Sequence, residues 1–250
     1  IDPFVRYLTM TPISQESHMH ELIADLSKTD TSLFQDSAGK FLPITQWPGV
    51  RCDSEGNVTH IEWDSLFRHG GSLDFCWLPQ TLEVFSAQRC CLHGSLSLID
   101  LPRHLKRLNM SYNDISGYLY LPMLPRGIEE VLLHHNAFVG ALELRYLPES
   151  VLSFNVSENF LSGPLDLTQL PENLESLNLS YNRFSTDIFI GTIPRKLRVI
   201  QMDGNPVDVG SLLKNCTASR ARIERNCFGN RWVTEKNGQK IVSIAEVPRV

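Results

Sequence analysis

Residues 101–192 read LPRHLKRLNMSYNDISGYLYLPM (101–123), LPRGIEEVLLHHNAFVGALELRY (124–146), LPESVLSFNVSENFLSGPLDLTQ (147–169) and LPENLESLNLSYNRFSTDIFIGT (170–192), four segments that align without a gap. Each opens on Leu-Pro, and the same phase holds at Leu78-Pro79 before them and Ile193-Pro194 after them, an interval of 23 residues throughout. The shared phrase is LPxxLxxLxLxxNxFxGxLxLxx. A fixed period of this length means one short unit stacked on copies of itself, so that neighbours bury a continuous core.

Counted from the leading Leu, the apolar positions are 5, 8, 10, 15, 19 and 21, which in the first quoted unit are Leu105, Leu108, Met110, Ile115, Leu119 and Leu121. The alternation at 8 and 10 has period two and predicts a short strand with its even face inward. Position 13 holds Asn113, Asn136, Asn159, Asn182 and Asn205, whose amides are suited to bond the backbone of adjacent turns as an asparagine ladder. Gly117, Gly140 and Gly163 at position 17 allow a tight or left-handed backbone on the far side, where the fourth unit has Thr186. The alternation at 19 and 21 predicts a second short strand on the convex side, because a 23-residue coil has no room for a long helix there. Proline at position 2 fixes φ and punctuates the turn between coils.

The pattern fades towards both ends. The unit from Leu78 keeps Leu82, Phe85, Leu92, Gly94, Leu96 and Leu98 but has Cys90 at the asparagine position. Before it, Val58, Ile61, Trp63, Gly71, Leu73 and Phe75 fit if one residue is inserted, and after the quoted units Leu197, Ile200, Met202 and Asn205 fit before the phrase stops. This gives seven coils with atypical outer ones, as a solenoid needs to close its ends. The division is an N-terminal cap at 1–57 with a helix over about 16–27, repeats at 58–209, and a C-terminal cap at 210–250. In that last cap VTEKNGQKIVSIAEV reads as a hairpin turning at Asn237-Gly238 that covers the final coil with Val233, Val242 and Ile244; a partner-binding arm is the other reading.

These coils resemble leucine-rich repeats, in particular the plant-type subclass and the kinetoplastid-like protozoan proteins that share the LPxxLxxLxLxxNxFxG phrase. The stretch FLPITQWPGVRCDSEGNVTHIEW resembles the plant-type N-terminal cap, with Trp47, Gly49, Val50 and Cys52 matching its W-x-G-V-x-C turn (47–52). The usual cysteine ahead of that Trp is missing, and Ile44, Thr45 and Gln46 stand in its neighbourhood. The resemblance spans roughly residues 16 to 210. It implies a mainly β, right-handed solenoid with a parallel concave sheet, short convex strands and capped ends.

Composition agrees with a folded chain: 250 residues, 42% hydrophobic and 20% charged. A net charge of -5 supplies no basic footprint for nucleic acid, and no apolar run is long enough to span a membrane. The first residues lack the basic-then-apolar signature of a secretion signal. Of the six cysteines, Cys90 and Cys91 read as packed thiols, Cys52 has lost its cap partner although Cys76 lies one coil later, and Cys216 and Cys227 flank a short stretch where a C-terminal cap disulfide would sit. Spacing does not establish pairing. The missing cap cysteine favours an intracellular location, with the cell surface or secretion as the alternative.

Sequons favour that alternative. They lie at Asn57, Asn109, Asn155, Asn178 and Asn215, but the middle three arise from the strand phrase itself, which leaves Asn57 and Asn215 in the caps as the glycan candidates.

Function is sought on the concave face, at positions 7, 9 and 11 with 12 at the edge. Parallel strands about 4.8 Å apart carry this face over roughly 30 Å, enough for a protein or peptide. The richest chemistry falls in the middle coils, at Arg89, Arg107, Tyr112, Glu130, Leu132, His134 and His135, with Glu158 and Tyr181 continuing position 12. Arginine, aromatics and an exposed Leu are the residue types of interface cores. No phosphate-binding loop, nucleophile elbow or H-E-x-x-H pair occurs, no third ligand accompanies His134 and His135, and His18 and His20 on the cap helix are expected to face water. The reading is a monomeric, non-enzymatic interaction module without cofactor or metal; the alternative is an extracellular recognition or adhesion domain for a glycan or host protein.

Overall fold

The computed structural model describes residues 14–190, 194–206, 232–234 and 240–243. Position 8 of every coil is fully buried, as Leu108, Val131, Phe154 and Leu177 show, and the three residues centred on it form a strand. The strands are β1 (Val50–Cys52), β2 (Val58–Glu62), β3 (Val84–Ser86), β4 (His93–Ser95), β5 (Arg107–Asn109), β6 (Asp114–Tyr118), β7 (Glu130–Leu132) and β8 (Ala137–Gly140). They continue as β9 (Ser153–Asn155), β10 (Phe160–Leu167), β11 (Ser176–Asn178), β12 (Arg183–Ile190), β13 (Val199–Gln201), β14 (Trp232–Thr234) and β15 (Lys240–Ser243).

The ten-stranded concave sheet runs β1-β2-β3-β5-β7-β9-β11-β13-β15-β14, parallel from β2 to β15 and antiparallel only in its terminal pairs. Register partners are 24 residues apart between β2 and β3, His60 against Val84, and 23 apart from β3 onward, Val84 against Arg107. The inserted residue inferred from the sequence is therefore real and lies in the first coil. At the far end β14 and β15 form the expected hairpin, which extends the concave sheet beyond β13. Its turn at Asn237-Gly238 and Ile244 lie outside the described residues, as do Asn215, Cys216 and Cys227.

The second sheet, β12-β10-β8-β6-β4, corrects one expectation. It is built on positions 14–18 rather than 19 and 21, and positions 21–23 form a 3-10 turn, as at Leu121–Met123 and Leu144–Tyr146. Positions 19 and 21 are buried because they enter and begin that turn, not because they alternate along a strand. Among the described strands, only β10 and β12 are long enough to carry strand through both. Position 17 glycines are left-handed as expected, φ running from 86° at Gly163 to 115° at Gly117.

The asparagine ladder is formed. Asn159 is typical: Oδ1 accepts the Phe138 N–H at 3.0 Å, while Nδ2 donates to Leu133 of the preceding coil and to Val156 and Ser157 of its own at 3.0–3.1 Å. Asn113, Asn136, Asn182 and Asn205 repeat the reach to the preceding coil. Cys90 takes the place of the amide, its buried thiol donating to the Trp63 carbonyl at 2.9 Å.

The N-terminal cap departs from a single helix over 16–27. Ser14 caps α1 (Gln15–Leu22), and Ser27 starts a separate one-turn α2 (Lys28–Thr31), because its hydroxyl accepts the Asp30 N–H. His18 and His20 are half-buried rather than turned to water: His20 stacks on Phe41 at 4.1 Å between centroids, and His18 lies 5.3 Å from Trp77. The cap core is aromatic, Phe34 lying against Trp47, Trp63 and Phe67. Gly49 lets β1 approach β2, since a Cβ there would sit 2.0 Å from the Glu62 carbonyl oxygen.

Candidate partner-binding face

The concave strands stop at position 9, and the turn beyond them decides which side chains reach solvent. Position 12 is left-handed in all seven coils: Ser65, Arg89, Tyr112, His135, Glu158 and Tyr181 have φ between 52° and 58°, and Gly204 has 71°. Non-glycine residues rarely occupy this region. Here it is enforced by the backbone, because each of these six N–H groups donates to the position 11 carbonyl of the next coil at 2.6–3.0 Å. The turn so made sends position 13 inward to the ladder and position 12 outward to the rim.

It also reverses the expectation for position 11. Ser111, Ser157 and Ser180 are buried, not displayed, and each is tied to position 9 of its own strand: the Ser N–H groups donate to Asn109, Asn155 and Asn178 Oδ1 at 3.0–3.2 Å. The Ser111 and Ser157 hydroxyls add bonds of 2.7 and 2.8 Å to the same oxygens. The strand sequons are thus a self-satisfied structural pair. Val84 and Ser86 of β3 are buried as well, Ser86 donating to Asp64.

Coil four breaks this pairing. Leu132 stands at position 9 and His134 at position 11, so the Asn-x-Ser bond has no equivalent. The His134 ring is half-buried, edge-on to Tyr112 with centroids 5.1 Å apart, and its Nδ1 is buried without a hydrogen bond. Burial, followed by the charges of His135 and Arg89, holds its pKa below the ordinary imidazole value.

Along the rim the position 12 side chains join from coil to coil. The Arg89 guanidinium lies 4.4 Å from the Tyr112 ring centroid, Tyr112 stacks on His135 at 4.1 Å, and His135 Nε2 meets Glu158 Oε1 at 2.8 Å. Tyr181 continues the column one coil on, with its ring over Gly204, where a Cβ would lie 2.4 Å from Tyr181 Cδ1. Inside this rim, Arg107 and Glu130 face each other across β5 and β7, and Asn109 faces Leu132. Arg107 is exposed and Glu130 half-buried, and among the described residues neither enters an ion pair. Eight of the nine residues singled out from sequence therefore lie on coils two to five, five of them in one contact chain, and Tyr181 is set apart.

A family model described as Leucine Rich repeat matches residues 102–117, and a second, described as Leucine Rich Repeat, matches 173–194. Together with the 23-residue register and the asparagine ladder they identify the repeat. The chain folds as a leucine-rich repeat solenoid. Comparison with curated protein sequences gave no match. Among solved structures, this leucine-rich repeat solenoid is similar to a plant ice-binding protein at 18% identity and a TM-score of 0.52, covering 76% of this chain and 71% of that one. It is also similar to two Arabidopsis thaliana ectodomains: that of the receptor kinase SOBIR1 (20% identity, TM-score 0.48, covering 78% and 94%) and that of BIR2 (19%, 0.47, covering 79% and 95%). At 18% identity the likeness to the ice-binding protein is one of fold.

The N-terminal half of the leucine-rich repeat solenoid holds the remaining described candidates. Asn57 is half-buried in the β1–β2 turn, its Nδ2 donating to Asp53 Oδ2 at 3.0 Å, so the nitrogen a glycan would occupy is already bonded. Cys52 is a free thiol on β1 and is not joined to Cys76, whose thiol donates to Asp74 at 2.8 Å. Among the described residues no three His, Cys, Asp or Glu side chains converge as metal ligands, and no helix is long and apolar enough to cross a membrane. The left-handed position 12 is not legible in the sequence. Its traces there are its constant place one residue before the ladder Asn and the glycine at Gly204, since Arg, Tyr and Glu carry no left-handed preference of their own.

Proposed function

We propose that this chain is a non-enzymatic interaction module that binds a protein or peptide partner through coils two to five of its concave face. The observation that carries the reading is the broken pair in coil four. Where neighbouring coils close on themselves through Asn-x-Ser, Leu132 and His134 leave an apolar side chain half-exposed, beside Arg107 and Glu130 without ion-pair partners among the described residues. Interfaces concentrate their energy in such mixtures of Arg, aromatic and apolar groups, while self-satisfied polar surface contributes complementarity.

The test is affinity purification from the source cells with the wild type and with a variant altered at Arg107, Tyr112, Glu130 and His134, after thermal melting shows that both fold. A partner recovered by the wild type and lost by the variant supports the face. Equal recovery by both overturns it.

A further inference from the structure

Resting on the concave-face proposal, we infer that the partner is an extended peptide segment carrying an acidic residue and, two positions along, an apolar residue, the first received by Arg107 and the second by Leu132. The charges of this region are arranged in order along the solenoid. Arg89 and Arg107 lie in coils two and three, Glu130 in coil four, and the Glu158 carboxylate is already engaged by His135 at 2.8 Å. Arg89 presents its face to Tyr112 at 4.4 Å, while Arg107 is exposed and enters no ion pair among the described residues. Two arginines and two glutamates balance in number here, but of the two arginines Arg107 is the one without a ring or carboxylate partner among the described residues, and an unpaired guanidinium fork fits a carboxylate in bidentate fashion.

Spacing sets the second requirement. Arg107 is the register partner of Glu130, and Leu132 lies two residues further on that adjacent strand, so the two side chains root one strand across and two residues along. With strands about 4.8 Å apart and about 3.3 Å per residue, that diagonal is about 8 Å. Side chains i and i+2 of an extended peptide leave one face about 7 Å apart, within reach of both.

A phage-displayed library of nine-residue peptides is selected against the intact chain, and selected peptides are measured against Arg107→Glu, Arg107→Gln and Leu132→Asn, the last restoring the residue of neighbouring coils. The expected result is enrichment of Asp or Glu two positions from an apolar residue. Loss on Arg107→Glu is expected to be tenfold or more, with recovery when the peptide acid is replaced by Lys, and loss on Leu132→Asn severalfold. Arg107→Gln serves if the charge reversal prevents folding. Peptides that lose binding to Leu132→Asn but ignore both Arg107 variants overturn the acidic requirement and leave the concave reading standing. Peptides indifferent to all three variants, or no selected peptides at all, overturn this inference, and indifference to the quadruple variant as well would count against the concave face itself.

Discussion

The ring of Tyr112 lies on that of His135 with centroids 4.1 Å apart and planes 18° from parallel, although the two residues belong to different coils. They meet because both are left-handed, at φ of 58° and 53°, and the same backbone bond to the next coil holds each of them. The rim of the concave face is therefore a consequence of how the strands end. Side chains are free to vary there, since the N–H donor at position 12 belongs to the main chain.

That origin makes a prediction at Glu158, where φ is 53° and the side chain is exposed. Removing the exposed bond to His135 costs at most about 1 kcal/mol, and glycine recovers roughly 1–2 kcal/mol of left-handed strain. Glu158→Gly should be as stable as the wild type or slightly more so, whereas Glu158→Val, branched at Cβ in a left-handed conformation, should lose roughly 2 kcal/mol. Urea unfolding midpoints separate the two. Equal loss in both variants would mean that the side-chain bond to His135, and not the backbone, holds the rim.

His134 supplies a pH dependence. Its folded pKa is below the ordinary value of 6.5, so near that pH the unfolded chain binds more protons than the folded one. The stability it contributes is full above about pH 6.5 and is lost as pH falls below that value towards the folded pKa. Melting temperature of the wild type should drop between neutral and mildly acid pH, and His134→Ser, the residue of neighbouring coils, should flatten that drop. An unchanged profile in the variant rules out His134 as its source.

In the ladder, Asn159→Ala removes one acceptor and one donor group that together serve four buried backbone partners. The loss should be about 3 kcal/mol. Cys90 offers the contrast. Its thiol already occupies the amide's place, so Cys90→Asn should stay within about 1 kcal/mol of the wild type, and its burial, which raises the thiol pKa, should keep it unreactive to a thiol reagent in the folded chain. A Cys90→Asn variant as damaged as Asn159→Ala would show that the second coil cannot take the ladder amide.

Much of this architecture is legible in the sequence because the period imposes one environment on each position. Leu108, Val131, Phe154 and Leu177 are buried where the phrase requires, and Asn113 to Asn205 bond as their spacing predicts. Two features are not. The second strand's place at positions 14–18 is hidden because exposed Asp114 and Tyr118 on it look like loop, while Leu119 and Leu121 beyond it mimic alternation. The burial of Ser111, Ser157 and Ser180 escapes a reading by strict alternation, which fails where the strand ends in the left-handed turn. For the site, the sequence exposes which coils differ, through Leu132 and His134, but not that Arg89, Tyr112, His135 and Glu158 form a chain of contacts.

The cap rests on one buried carboxylate. Asp30 accepts the N–H groups of Arg68, His69 and Gly70 at 2.8–3.0 Å and the Ser27 hydroxyl at 2.9 Å, so a one-turn helix fastens the back of the first coil. Burial alone would raise its pKa, but these donors, led by the Arg68 and His69 N–H groups, bring it below the ordinary 3.8. Asp30→Ala strands three backbone donors that no water replaces readily, a loss of about 3 kcal/mol. With a lowered folded pKa, the contribution is present above about pH 3.8 and disappears as pH falls through the folded value. Hydrogen exchange locates the effect: protection at residues 68–70 and on α1 should fall in Asp30→Ala while β9 and β11 keep theirs, because each coil leans only on its neighbours. Uniform loss of protection along the chain would instead mean that the cap and the distant coils unfold as a single unit.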